Sequence, residues 1–240
     1  MKKFAFLLIG LLATAISFAA CPVKVSILGD SYSTFQNHVT PDSNYVWYFQ
    51  DENKPERTDV NRVEDTWWTQ FIKNNGFVLE KNNSFSGATV CNLGYNGEDY
   101  SDRAFIKRMH YLGNPDLILV FGATNDCWAK VPLGDDNSDD LYTFIPAMKK
   151  MLSSLPGLYP HSKVVFMLND EIQGDMREAI IRLCDEAGVD CLQLTGISKR
   201  QGHPDRKGMT QISHQLTEFL KPAGCCTHNH KQHRHNHNQN

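Results

Sequence analysis

Four short stretches carry groups that, brought together, would perform acyl transfer. "GDSYS" (29–33) closes an apolar run, "VSIL", and sets the Ser31 hydroxyl directly behind Asp30. A serine fixed at a strand end, beside the unpaired N–H groups of a helix start, is well presented as a nucleophile. Asp and Ser are equally at home as plain helix N-caps. In "NNSFSGATV" (82–90), Gly87 can aim a backbone N–H at a developing oxyanion or simply make a turn. In "FGATND" (121–126), Asn125 can offer an amide to the same charge or cap a loop. In "GHPDRKGM" (202–209), His203 can accept the serine proton or be an ordinary surface histidine. The chemical reading gains weight because each group stands just beyond a predicted strand.

The strands are "VKVSIL" (23–28), "FVLEKN" (77–82), "PDLILVFG" (115–122), "KVVFMLN" (163–169) and "CLQL" (191–194). Between the first two, "VEDTWWTQFIKNNG" predicts an amphipathic helix with Trp67, Trp68, Phe71 and Ile72 on one side and Gly76 as its stop. Further helices are predicted from about 140 to 152, from 173 to 187, and from Asp205 to near Leu220. Aliphatic strands separated by helices predict a parallel sheet covered on both faces. Reactive groups in such sheets gather at the carboxyl ends of the strands. Residues 36–62, rich in Asn, Asp, Tyr and Trp, form a long insertion of the kind that makes binding loops or lids.

With these blocks in place, the chain resembles the SGNH (GDSL-type) hydrolases, named for Ser, Gly, Asn and His in four separated blocks. The resemblance covers about residues 30–205. It implies an α/β fold, a three-layer, flavodoxin-like arrangement around a parallel five-stranded sheet. It also implies a serine esterase working through an acyl-enzyme, with no cofactor. Ser31 is then the nucleophile and His203 the general base. The Ser31 N–H, the Gly87 N–H and the Asn125 side chain form the oxyanion hole. The glycine-flanked elbow of α/β-hydrolases is not matched, because Ser33 stands at its second glycine. There are also departures from the family pattern. Where an Asp commonly sits three residues before the histidine, this chain has Arg200, which cannot accept an imidazole proton. A backbone carbonyl or another acid must orient the ring, and Asp205 is the nearest acid in sequence. Ala123 replaces a glycine that often precedes the threonine of the third block.

The insertion carries Tyr45, Trp47, Tyr48 and Phe49. Aromatics with polar neighbours suit sugar rings, so Trp47 and Tyr48, with Asp30, are candidate substrate contacts; the same residues would also serve to pack the loop. The expected reaction is release of a small acyl group, acetyl above all, from a carbohydrate ester. The alternatives are a non-catalytic glycan-binding member of the fold, which Arg200 motivates, and a lipase or lysophospholipase-type esterase. A flavin- or nucleotide-binding protein would need a phosphate-cradling glycine loop after the first strand, which is absent.

Residues 1–20 read as a signal peptide, with Lys2 and Lys3 before an apolar stretch, which implies export to the periplasm or beyond. "FAAC" offers an alternative, a lipoprotein anchored at Cys21, the one expected route to a membrane. Residues 21–220 form the hydrolase domain, and 221–240 a disordered tail. The tail holds His228, His230, His233, His235 and His237, candidate metal ligands apart from any metal-free active site. A net charge of −3, with no basic run in the domain, argues against a nucleic-acid partner. Of the 7 cysteines, Cys91 with Cys127, and Cys184 with Cys191, are candidate disulfide pairs.

Overall fold

A computed structural model of the protein describes residues 21–221. The leader expected over 1–20 and the tail beyond Lys221, with its five histidines, lie outside the described residues.

Strands β1 (Lys24–Gly29), β2 (Val78–Ser84), β3 (Leu117–Gly122), β4 (Lys163–Leu168) and β5 (Asp190–Gln193) form one sheet in the order β2-β1-β3-β4-β5. Every pairing in it is parallel. A two-stranded antiparallel hairpin, β6 (Lys199–Arg200) with β7 (His203–Pro204), follows it. The helices are α1 (Trp67–Asn75), α2 (Phe105–Arg108), α3 (Thr124–Trp128), α4 (Phe144–Leu158), α5 (Gly174–Glu186) and α6 (Arg206–Leu220).

Alternate residues of each strand point to opposite faces. In the central strands β1, β3 and β4 both faces are buried, so those strands read as nearly continuous apolar runs, while the edge strands β2 and β5 are partly exposed. Ile27, Leu119, Phe121 and Met167 face Trp67, Phe71, Met209 and Leu216 of α1 and α6. Leu28, Ile118, Val120 and Phe166 face Phe105, Phe144, Met148 and Ile180 of α2, α4 and α5. Each such large apolar side chain contributes about 1.5–3 kcal/mol on burial. This is the three-layer α/β/α sandwich.

Local chemistry sets the element ends. The Thr66 hydroxyl accepts the Thr69 N–H at the start of α1, and Gly76, at φ 66°, ends that helix in the left-handed conformation. Helix α4 differs from expectation. It begins at Phe144, because Asp140 is spent on turn bonds to the N–H groups of Tyr142 and Thr143. It runs on to Leu158, because Leu152 and Leu155 are both core residues.

Candidate active site

The chain leaves β1 through Gly29. Its backbone is not left-handed; what demands glycine is space. A Cβ there would lie 2.5 Å from Ser84 Oγ and 2.7 Å from Ser33 Cβ. Behind it, Ser31–Ser33 make a single 3₁₀ turn in place of the expected longer helix, so the macrodipole adds little at Ser31. Asp30 caps this turn by accepting the Tyr32 N–H at 3.0 Å. Wholly buried, its carboxyl is pushed up to about 7 by loss of solvation. Asp30 therefore lies beneath the site and not on its surface, where a substrate contact would be.

Facing Ser31 stands the β6–β7 hairpin. Its two turn residues, Gln201 (φ 51°) and Gly202 (φ 72°), both have positive φ, as type I′ hairpin turns require. The turn brings His203 Nε2 to 2.9 Å from Ser31 Oγ, with His203 Nδ1 3.0 Å from the Gln201 carbonyl oxygen. A carbonyl only accepts, so Nδ1 carries the proton and Nε2 faces the hydroxyl as the acceptor. Asp205, the acid nearest in sequence, does not reach the ring. It caps α6 by accepting the Gly208 N–H at 2.8 Å and takes the Ser198 hydroxyl at 2.7 Å. Arg200 points away, donating to the Pro55 carbonyl and lying 3.5 Å from the Asp59 carboxylate. It holds the 36–62 insertion against the hairpin.

That insertion provides the other support for the imidazole. Trp47 lies flat on His203, with ring centroids 3.6 Å apart and planes 5° from parallel. The Arg57 guanidinium sits 4.2 Å from the Trp47 ring centroid, itself held by Glu52 and by the Trp47 carbonyl. Tyr48 is fully buried and donates its hydroxyl to the Pro204 carbonyl at 2.7 Å. The two aromatics expected to meet substrate thus pack the histidine and its hairpin. Burial, helped by the charges of Arg57 and Lys199, pushes His203 down to about 4, against the opposing pull of the Gln201 carbonyl.

Gly87 takes φ 85°, a left-handed conformation that side chains disfavour. Neither its N–H nor that of Ser31 is spent in a hydrogen bond among the described residues. The Asn125 amide donates to the Ala88 carbonyl at 3.0 Å, which leaves its second hydrogen free. The Asn125 oxygen accepts the Tyr95 hydroxyl at 2.8 Å, fixing which way the amide faces. Next to it, buried Asp126 accepts the N–H groups of Val90 and Cys91, tying the second block to the third. Ala123 adopts φ 70°, a left-handed position where glycine would be unstrained.

The structure thus gathers Ser31, Gly87, Asn125 and His203 at one rim, and leaves Asp30, Asp205 and Tyr48 outside it. Several contributors escaped the sequence reading. The Tyr32 hydroxyl donates to the Gly202 carbonyl at 2.6 Å, joining the serine's turn to the histidine's hairpin. Its only signal was adjacency to Ser31; Tyr95 and Asp126 gave none. The candidate disulfide cysteines are all free. Cys91 donates to the Leu93 carbonyl, and Cys184 is wholly buried as a free thiol.

Comparison with known proteins places this geometry. A family model described as GDSL-like lipase/acylhydrolase matches residues 23–220. A protein of Bacteroides ovatus described as a GDSL-like lipase is 48% identical, with a TM-score of 0.81 over 84% of this chain and 99% of its own. A counterpart from Bacteroides uniformis is 46% identical, with a TM-score of 0.80 over 83% of this chain and 95% of its own. A family two carbohydrate esterase from Clostridium thermocellum, solved with cellohexaose, shares the fold at 15% identity, with a TM-score of 0.56 over 84% of this chain and 65% of its own. No curated protein matches the chain. The chain belongs to the GDSL-like lipase/acylhydrolase family, the SGNH hydrolases of ester bonds.

Proposed function

We propose that the protein is a serine esterase that removes small acyl groups, acetyl foremost, from a carbohydrate through an acyl-enzyme on Ser31. The observation that carries this reading is the 2.9 Å contact between Ser31 Oγ and an imidazole whose other nitrogen is bound to a backbone carbonyl. His203 Nε2 takes the hydroxyl proton as Ser31 attacks the ester carbonyl. The tetrahedral oxyanion is held by the N–H groups of Ser31 and Gly87 and by the Asn125 amide. The sugar alcohol leaves with the proton from His203. A water, deprotonated in turn by His203, releases the acid and restores the serine.

The small-acyl preference is supported by how closely the dyad is walled. Ser31 is 4% exposed and His203 5%, with Tyr32, Trp47 and Trp128 crowding the imidazole. A long acyl chain would need an open apolar channel in their place. Trp128, 38% exposed and 5.8 Å from His203 between ring centroids, offers a face for a sugar ring. The test is hydrolysis of p-nitrophenyl acetate and of acetylated sugars by wild type and Ser31→Ala, with fluorophosphonate labelling. Wild type reacts with all three, and Ser31→Ala loses roughly 10⁴- to 10⁶-fold in turnover together with the label. Equal activity in both proteins refutes the mechanism; labelling and p-nitrophenyl acetate turnover without release of acetate from sugars refutes the substrate class.

A further inference from the structure

The geometry points to a second ligand site beside β2, a pocket that takes the negatively charged group of an acidic sugar in the same glycan. The inference rests on the glycan-ester reading above and extends it to the class of glycan. The pocket, about 360 Å³, lies between β2, α2 and the start of the 36–62 insertion. That volume falls within the ordinary range for a small-molecule site, roughly 300–1,000 Å³.

Its charge is unbalanced. Lys81 on β2 and Lys107 on α2 line it, and neither has a carboxylate within 4 Å among the described residues. The single acid of the lining, Asp102, is engaged by Arg103 at 2.9 Å. The third cation, Arg108, is buried, only 5% exposed. Its Nε donates to the Arg103 carbonyl and Nη1 to the Asn83 carbonyl, while Nη2 has no partner. The acid that acts on it is Asp30, beneath the nucleophile and not paired with it. Burying an unpaired guanidinium is costly, and burial pushes Arg108 down to about 9. A bound anion would balance the two lysines, while the Arg108 guanidinium, sealed from solvent and stacked 4.6 Å from the Phe105 ring centroid, adds its positive charge from behind the wall.

The remaining walls suit a sugar ring. Phe85 and Tyr111, the latter 54% exposed, offer aromatic surface next to the cations, and the Asn44 amide lines the same pocket. One wall of the pocket leads toward the Ser31 rim along the chain. Phe85 stands two residues before Gly87, and its N–H donates to the Gly29 carbonyl at 3.1 Å. A glycan held here by its acidic unit would carry a neighbouring acylated unit past Gly87 toward Ser31. Lysines act as point charges and accept carboxylate or sulfate alike, so the shared requirement is one anionic group on a sugar.

The test is calorimetry on the full chain at low salt with galacturonic acid, galactose 6-sulfate, galactose and inorganic sulfate. At least one acidic sugar should bind, more tightly than galactose and than inorganic sulfate, and which one binds identifies the charged group. In the double variant Lys81→Gln/Lys107→Gln, affinity should fall at least about tenfold, with p-nitrophenyl acetate turnover unchanged. Acidic sugars that bind no better than galactose, or bind the double variant equally well, overturn the proposal. Inorganic sulfate binding as tightly as the sulfated sugar overturns its sugar part. A wild type that binds acidic sugars and hydrolyses no ester removes the esterase reading and leaves the pocket standing.

Discussion

The two halves of the candidate active site are built by different means. Ser31, Gly87 and Asn125 are set by the sheet: each stands just past β1, β2 or β3, and their short turns are locked by buried polar contacts from Asp30, Asp126 and Tyr95. His203 sits on a two-stranded hairpin outside the sheet, held by a carbonyl on one side and by the Trp47 face on the other. Where the family commonly places an acid, this chain has Arg200, and that arginine fastens the loop bearing Trp47. The sheet half is fixed by backbone geometry. The histidine half is fixed by stacking, and so depends on a loop remote in sequence.

The largest effect that tests this contrast lies on the sheet half. Asn125→Ala removes a donor present only through the sheet's geometry and should lower kcat roughly 100- to 1,000-fold with little change in KM. A loss shared equally with KM would show that the amide binds ground state instead. On the histidine half, Trp47→Ala should lower kcat about 10- to 100-fold by letting the ring drift, and Trp47→Phe should recover part of it. Full activity in Trp47→Ala, measured on the same ester, would mean that the Gln201 carbonyl suffices.

The acid limb of kcat/KM separates the halves further. With the His203 pKa pushed down to about 4, the neutral base persists through mildly acidic pH, so the limb should fall near pH 4 instead of near 6.5. Opening the stack in Trp47→Ala readmits water and should move the limb upward, while Asn125→Ala should leave it in place. The smallest kinetic effect is expected at Asp205. Its Asn variant can still cap α6, so a pH–rate comparison should show no shift and at most about a twofold change. A larger change would return Asp205 to the orienting role. For stability, Ala123→Gly relieves a left-handed alanine and should raise the unfolding free energy by about 1 kcal/mol in a urea melt.

Much of this was legible in the chain. The aliphatic strands between amphipathic helices specified the sandwich, because burial on two faces requires that pattern. The serine, glycine, asparagine and histidine were legible because each follows directly on a strand or its turn. What orients His203 was not legible. Asp205 was attractive by proximity, yet adjacency on the chain says nothing about which way a carboxylate points once it caps a helix. Nor did the aromatic run of the insertion reveal whether its rings face substrate or the protein. Trp47 lies 156 positions before His203, and no local rule links them.

From the chain alone, then, came the layered architecture and the four blocks that bear Ser31, Gly87, Asn125 and His203, since periodicity and strand-end placement are local properties, and the resemblance those blocks carry pointed to ester chemistry. Tertiary packing alone decided that a carbonyl and an indole replace the acid, and that Gly29 is required by its neighbours and not by its torsions. It alone left Arg108 buried without a carboxylate partner. Those outcomes depend on which distant surfaces meet, and a one-dimensional pattern carries no record of that.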